Sequence, residues 1–306
     1  MERKTVPEVV RVDNIAKAYG KRRVLTGVSF QVERGEILSI VGPNGSGKTT
    51  IMEILEGIRR ADGGKFSVLG SSPGSREVRE RIGVALQDAD AFSNLRVEEF
   101  LRLHASFYRR CLSVQEVLET VGLSMIRKNY IRGLSGGERQ KLNLATAMMN
   151  DPEILFLDEP AEGLDPRVRI ELRELLLALR RRGTTILNTT HYMEDAQLIS
   201  DRVAVLGRGK IVALGPPAEL IAASGLPKRL EFVFREHPGP LLRLLEGIHT
   251  SVLEDHRRVI VSTPSLQEDL VRLLSLVRTA GLTVESLDVR SPTLEDVYLN
   301  LTEGLQ

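Results

Sequence analysis

Residues 9–14 (Val9-Val10-Arg11-Val12-Asp13-Asn14) and 24–32 are rich in β-branched and apolar positions and predict two strands. A third strand, residues 36–41, is mostly apolar and runs straight into a glycine-rich loop. Beyond the loop, Ile51, Ile54, Leu55 and Ile58 recur at helical spacing, and Gly57 with Asp62-Gly63-Gly64 ends that element. The stretch from about 95 to 150 reads as mostly helical. Ser135 followed by Glu138 is a capping-box pattern, opening a helix that carries Leu142, Ala145 and Met149. Ile154-Leu155-Phe156-Leu157 is continuously apolar, as a strand of a parallel sheet covered on both faces is. Leu172, Leu175, Leu176 and Leu179 form one helical stripe, stopped at Gly183. Residues 184–190 predict another strand, and 202–206 with 210–214 a hairpin about Gly207-Arg208-Gly209.

The composition shifts near Gly215-Pro216-Pro217 and again at Ser224-Gly225-Leu226-Pro227, which suggests two domains, 1–222 and 228–306. The second segment reads strand (229–234), helix (238–246), strand (248–253), strand (257–262), helix (266–280), strand (283–290), the split βαβ order, with a last helix over 293–301. At 306 residues, 42% hydrophobic and 27% charged, the chain has material for a sizeable core. A net charge of +1 gives no bulk signal for nucleic-acid binding, so no nucleic acid is expected as partner. One cysteine, Cys111, excludes an internal disulfide and a cysteine-rich metal site, and makes a reducing compartment the default. The charged start, Met1-Glu2-Arg3-Lys4, leads into no apolar stretch, and no apolar run reaches spanning length, so a membrane role needs a partner that supplies the spans.

Gly42-Pro43-Asn44-Gly45-Ser46-Gly47-Lys48-Thr49-Thr50 fits the pattern of a phosphate-binding loop, with an apolar strand before it and a helical stripe after it. The glycines let backbone N–H groups turn inward, and the helix N-terminus adds partial positive charge. Lys48 would reach the β- and γ-phosphates of ATP, and Thr49 would ligate Mg²⁺. A plain strand-to-helix turn needs neither residue in that register. Asp158 and Glu159 follow the apolar strand 154–157; an Asp there holds Mg²⁺ in P-loop enzymes, and a carboxylate beside the γ-phosphate can activate water.

At Leu134-Ser135-Gly136-Gly137-Glu138-Arg139-Gln140 the chain resembles the signature of ABC ATPases. Other family elements stand in the same order: Tyr19 before Gly20, Gln87, Gly163-Leu164-Asp165, and His191 after Thr189-Thr190. The resemblance covers roughly residues 9–221. It implies an α/β P-loop NTPase fold with a RecA-like core, an antiparallel β subdomain and a helical signature subdomain, followed here by a small α+β C-terminal domain. It also implies roles. Tyr19 would stack on adenine, and Gln87 would contact Mg²⁺ and the attacking water and couple to the membrane partner. Asp165 would belong to a loop crossing a dimer interface, and His191 would hydrogen-bond the γ-phosphate. Ser135, Gly136 and Gly137 would meet the γ-phosphate of ATP held by an opposite subunit.

Thr189-Thr190-His191-Tyr192-Met193-Glu194-Asp195-Ala196, Asp201-Arg202-Val203, Gly215-Pro216-Pro217-Ala218-Glu219-Leu220 and the tail Ser291–Tyr298 resemble the ATPases of type-2 ABC exporters. Ala161-Glu162 and Arg96 depart from that group's usual residues. The expected function is an ATPase subunit driving export through a separate permease, peripheral on the inner face of the cell membrane, as a homodimer or with a related ATPase. An importer ATPase and a soluble, non-transport ABC ATPase are the alternatives. The triple arginine 180–182 suits a helix C-terminus, and Lys21-Arg22-Arg23 a solvated turn near the nucleotide.

Overall fold

The computed structural model of the chain describes residues 7–85, 92–245, 252–255 and 257–303. Two compact units divide between Pro217 and Ala218. The first opens with β1 (Glu8–Tyr19), β2 (Arg22–Glu33), β3 (Ile37–Val41), α1 (Lys48–Leu55) and β4 (Gly63–Val68). Then come α2 (Arg76–Arg79), β5 (Ile82–Val84), α3 (Val97–Ala105), α4 (Val114–Val121) and α5 (Gly136–Met148). It closes with β6 (Ile154–Leu157), α6 (Pro166–Arg181), β7 (Thr185–Thr190), α7 (Met193–Ile199), β8 (Arg202–Gly207) and β9 (Lys210–Gly215).

The central sheet has the order β5-β6-β7-β3-β8-β9, parallel except for the edge strand β9. β6 reads as an unbroken apolar run because each of its faces feeds a different core. On β6, Leu155 and Leu157 enter the core built with α3, α4, α5 and α6. Ile154 and Phe156 enter the other, shared with α1 and the three-stranded antiparallel sheet β2-β1-β4. The register sets Val41 beside Thr190 and Leu157 beside Asn188, so β3, β6 and β7 end at one edge. Ligands of open α/β sheets bind outside that carboxyl edge, and the loop at 42–47, the Asp158-Glu159 pair and His191 all leave from it.

β1 is longer than the pattern predicts. Asn14 has φ 55°, and the β1–β2 ladder shifts register around it, so alternation breaks there while pairing continues to Tyr19 opposite Arg22. That extension carries Tyr19 to the edge of the phosphate loop.

Gly83 on β5 shows how closely the helical layer approaches the sheet. A methyl group at this position would lie 2.0 Å from the Ala147 carbonyl oxygen at the end of α5, and 2.7 Å from Leu155 Cδ2. Backbone cannot yield as a side chain does, so Gly83→Ala is expected to cost about 3 kcal/mol. A urea midpoint unchanged from the parent's would refute this.

The second unit continues from α8 (Pro217–Ala223) with β10 (Lys228–Phe234), α9 (Gly239–Leu245), β11 (Val252–Asp255), β12 (Arg258–Thr263), α10 (Leu266–Thr279), β13 (Val284–Arg290) and α11 (Leu294–Glu303). Of the strand expected over 248–253, residues 248–251 lie outside the described residues, and β11 begins at Val252. All pairs in the sheet β11-β12-β10-β13 are antiparallel, so β10 and β11 run parallel on either side of β12. Its core joins Leu230, Phe232 and Phe234 of β10 to Leu273 and Val277 of α10.

Candidate active site

The phosphate loop closes on itself through its lysine. Lys48 Nζ donates to the carbonyls of Gly42 at 2.8 Å and Pro43 at 3.2 Å, and it lies 3.0 Å from Glu159 Oε1. The ammonium is buried, and that carboxylate oxygen accepts no other hydrogen bond among the described residues. Gly45 and Gly47 have φ of 77° and 108°, a region costly for residues with a Cβ. α1 starts at once on Lys48, so its free N–H groups face the loop.

Asp158 and Glu159 are held by one hydroxyl. Thr189 Oγ1 donates to Asp158 Oδ1 and accepts from the Glu159 N–H at 2.9 Å. Glu159 has φ 49°, strained for a long side chain, and such strain persists where surrounding structure over-determines it. His191 donates from its backbone N–H to Glu159 Oε2 at 3.2 Å, and its Nδ1 lies 2.9 Å from the same oxygen. Lys48, Glu159 and His191 therefore form one connected group.

A cleft of about 610 Å³ lies over this group, with Tyr19, Asn44, Gly45, Gly47, Lys48, Thr49, Thr50, Asp158 and Glu159 in its wall. Tyr19 Oη is 3.4 Å from Thr50 Oγ1. Gly42, Pro43 and Ser46 lie in the loop behind the wall; Ser46 Oγ is buried without a hydrogen-bond partner. An orphaned hydroxyl, inward-turned glycines and a buried ammonium fit a polyphosphate. For Mg²⁺, the Thr49 hydroxyl and the Asp158 carboxylate are hard oxygen donors on one cleft, and Mg²⁺ takes few protein oxygens beside those of phosphate. Gln87, the third expected ligand, lies outside the described residues.

Ser135, Gly136, Gly137 and Asp165 are not in the cleft wall. Ser135 and Glu138 form the capping box: the Ser135 N–H donates to Glu138 Oε2 at 2.8 Å, and the Glu138 N–H donates to Ser135 Oγ at 3.3 Å. Gly136 faces open space, whereas a Cβ on Gly137 would come within 2.9 Å of Val168 on α6. The bareness of Gly137 is thus used within the chain, and only Gly136 remains open to an outside approach. Asp165 caps α6, its Oδ1 accepting from the N–H groups of Arg167 and Val168 at 3.0 and 3.1 Å.

Five cleft residues escaped the sequence reading as site residues: Arg22, Val24, Glu53, Arg59 and Glu162. Arg22 Nη2 lies 3.5 Å from where a Cβ on Gly45 would stand, so its guanidinium borders the phosphate loop. Arg59 pairs with Glu53 and sits 5.2 Å from the Tyr19 ring centroid, with Lys17 Nζ at 5.8 Å. The β1–β2 hairpin brings Arg22 and Val24, α1 and the turn after it bring Glu53 and Arg59, and the segment after β6 brings Glu162.

Behind the cleft, Glu56 follows α1 into a separate groove with Ile58, Val84, His104, Phe107 and Tyr108. Burial, then the negative charges of Asp158 and Glu53, push its carboxyl up to about 7. A raised carboxyl favours the protonated form in the folded chain. Stability is therefore whole below the ordinary value of 4.5 and falls as pH rises through about 7. Glu56→Gln is expected to stabilise the chain by about 2 kcal/mol at pH 8, after allowance for partial exposure, and not at pH 4. Urea melts at the two pH values check this; an equal effect at both would exclude titration of Glu56 as the cause.

A phosphate loop after β3, an acidic pair after β6 and a histidine after β7, the strand between those two, define a P-loop nucleoside triphosphatase. A family model described as "ABC transporter" matches residues 25–162. The daunorubicin resistance ATP-binding protein DrrA3 of Streptomyces coeruleorubidus is 36% identical over 96% of this chain and 95% of its own. A Nod factor export ATP-binding protein I of Rhizobium sp. (strain N33) is 36% identical over 94% and 95%. Among solved structures, cbiO1 from Clostridium perfringens, part of the ABC transporter complex cbiONQ, matches with a TM-score of 0.64 at 27% identity, covering 70% of this chain and 91% of that one. The ATP-binding cassette MJ0796, in a dimeric post-hydrolysis state with ADP and Pi, matches at 0.61 and 26%, over 68% and 98%. The chain belongs to the ATP-binding proteins of ABC transporters, in the group of the drug-resistance and Nod factor export ATPases, and it is an ATPase subunit.

Proposed function

We propose that two ATP molecules are bound between two copies of this chain, beneath a separate membrane permease through which hydrolysis drives export. One observation carries the dimer: the open first turn of α5 at Ser135 and Gly136 lies outside the cleft that holds Lys48 and Glu159. A second copy, or a related ATPase, would bring the N–H groups of the first turn of α5, which begins at Gly136, to the γ-phosphate. In this reading Lys48 and the loop amides bind the phosphates, and Tyr19 stacks on the adenine. Thr49 and Asp158, joined by Gln87, would hold Mg²⁺, and the chemistry it would supply there is neutralisation of phosphate charge. Glu159 orients the attacking water and draws off its proton, and His191 steadies the γ-phosphate. Loss of that phosphate removes the contacts across the interface, and the dimer opens.

No helix among the described residues is long and apolar enough to cross a membrane. The permease would dock on the inner face of the cell membrane at the groove of Glu56, His104 and Phe107, whose wall at Val84 lies three positions before Gln87. The relatives named for daunorubicin resistance and Nod factor export support outward transport over import or a soluble role. The second unit, with its split βαβ sheet, would support or regulate the dimer.

Gly136→Ala tests the trans contact. Nothing lies within 4 Å of the new methyl group and alanine favours helix, so the variant should fold at least as stably as the parent. It should nonetheless lose ATP-dependent dimerisation, measured by sedimentation in the Glu159→Gln background. Undiminished dimerisation would overturn the reading.

A further inference from the structure

The start of α6 is connected to the Glu159 carboxylate by a run of side chains. Arg169, on the first turn of α6, donates to Asp195 Oδ2 from Nε at 3.1 Å and from Nη2 at 2.8 Å. Arg173 lies 3.3 Å from the other oxygen, Oδ1. Asp195, on α7, is buried. The Arg169 guanidinium lies over Tyr192, with Cζ 3.9 Å from the ring centroid. The Tyr192 ring in turn lies against the His191 imidazole, their centroids 4.1 Å apart. His191 then meets Glu159 Oε2 at 2.9 Å.

Two features separate this run from an ordinary tie between helices. Arg173 alone balances the charge of Asp195, so neutralisation does not require Arg169. Arg169 instead sets its Cζ 3.9 Å from the centre of an aromatic ring, where a guanidinium and an ammonium are not interchangeable. His191 is also one-third exposed, and it meets Glu159 and the Tyr192 ring. Tyr192 is itself fixed, its N–H donating to Thr190 Oγ1 at 2.9 Å.

We propose that Arg169 is a positioning residue for His191, acting through the ring of Tyr192 that lies between them. The inference rests on the reading of His191 as a γ-phosphate contact. Its consequence is that the Gly163–Asp165 turn, which leads into α6 and would face a second copy, moves with the imidazole. A displaced partner is then felt at the hydrolytic centre without a contact to nucleotide.

Steady-state ATPase of the full chain tests this. Arg169→Lys keeps a cation on Asp195 and loses the guanidinium over the Tyr192 ring; kcat should fall about fivefold with KM within about twofold. Tyr192→Phe should stay near the parent, and Tyr192→Leu should fall about tenfold. The deciding comparison is Arg169→Lys in a His191→Ala background, where it should have no further effect. The same fold-loss with and without His191 would mean that Arg169 acts elsewhere, and the proposal would be overturned. Parental ATPase in His191→Ala alone would instead refute the role of His191, a separate result. A readout independent of turnover is the imidazole resonance of His191, assigned among the five histidines by its loss in His191→Ala. It should move in Arg169→Lys and Tyr192→Leu; a resonance unmoved in both would also overturn the proposal.

Discussion

Glu159→Gln should lower ATP turnover by about 10²- to 10⁴-fold while leaving the nucleotide bound. The amide matches the carboxylate in shape and still accepts from the His191 N–H, now 3.2 Å from Oε2, so local geometry should survive. What disappears is the negative charge that would take a proton from water. Binding should not suffer, and should tighten. Lys48 lies 3.0 Å from Glu159 Oε1, and an arriving phosphate has to share that ammonium with the carboxylate. With the charge removed, the ammonium is committed to phosphate alone. Single-turnover hydrolysis and equilibrium binding of ATP, measured on one preparation, separate the two effects. Wild-type hydrolysis would remove Glu159 from the role of general base; slowed hydrolysis with equally weakened binding would make it a structural partner of Lys48.

Lys48→Ala should weaken ATP binding by about 100-fold, the scale of one buried charge-assisted contact with phosphate. The lysine does two things in the structure, and the variant removes both. It brings a cation to the loop, and it ties down the carbonyls of Gly42 and Pro43 at 2.8 and 3.2 Å. Calorimetry with ATP, ADP and AMP tells these apart. Loss of the cation penalises ATP and ADP far more than AMP, which places one phosphate on the loop. Loss of the loop's shape penalises all three alike, and that result would sink the assignment of Lys48 as the β,γ-phosphate contact.

The motifs that carry chemistry were legible because each is local. A phosphate loop needs its glycines, Lys48 and Thr49 within nine consecutive positions, since backbone N–H groups must converge on one phosphate. Ile154–Leu157 announced its two covered faces, and Asp158 and Glu159 followed directly. The capping box of Ser135 and Glu138 was readable because its partners are three residues apart. What the sequence hid has sequence-distant causes. Arg22, legible only as part of a basic turn near the nucleotide, reaches the cleft from a hairpin, and Arg59 reaches it from beyond α1 with nothing in its neighbours to mark it. The bulge at Asn14 broke the alternation that would have carried β1 on to Tyr19. The close approach of Val168 on α6 to the Cα side of Gly137 is likewise a contact that no local stretch contains.

The sequence by itself determined the class of chemistry: a triphosphate held by a loop and helix, an acidic pair at a strand end, and a signature helix able to bind phosphate. Those follow from residue type and short spacing, which fix backbone dihedrals and donor positions whatever the rest of the chain does. The tertiary structure decided which of these parts share a cleft. Parallel pairing of β6, β7 and β3 sets Lys48, Glu159 and His191 within hydrogen-bonding reach across 143 positions of sequence, 48 to 191. It leaves Ser135 and Gly136 outside the cleft wall. Sheet register is a product of burial on two faces at once, and no local stretch of sequence contains it.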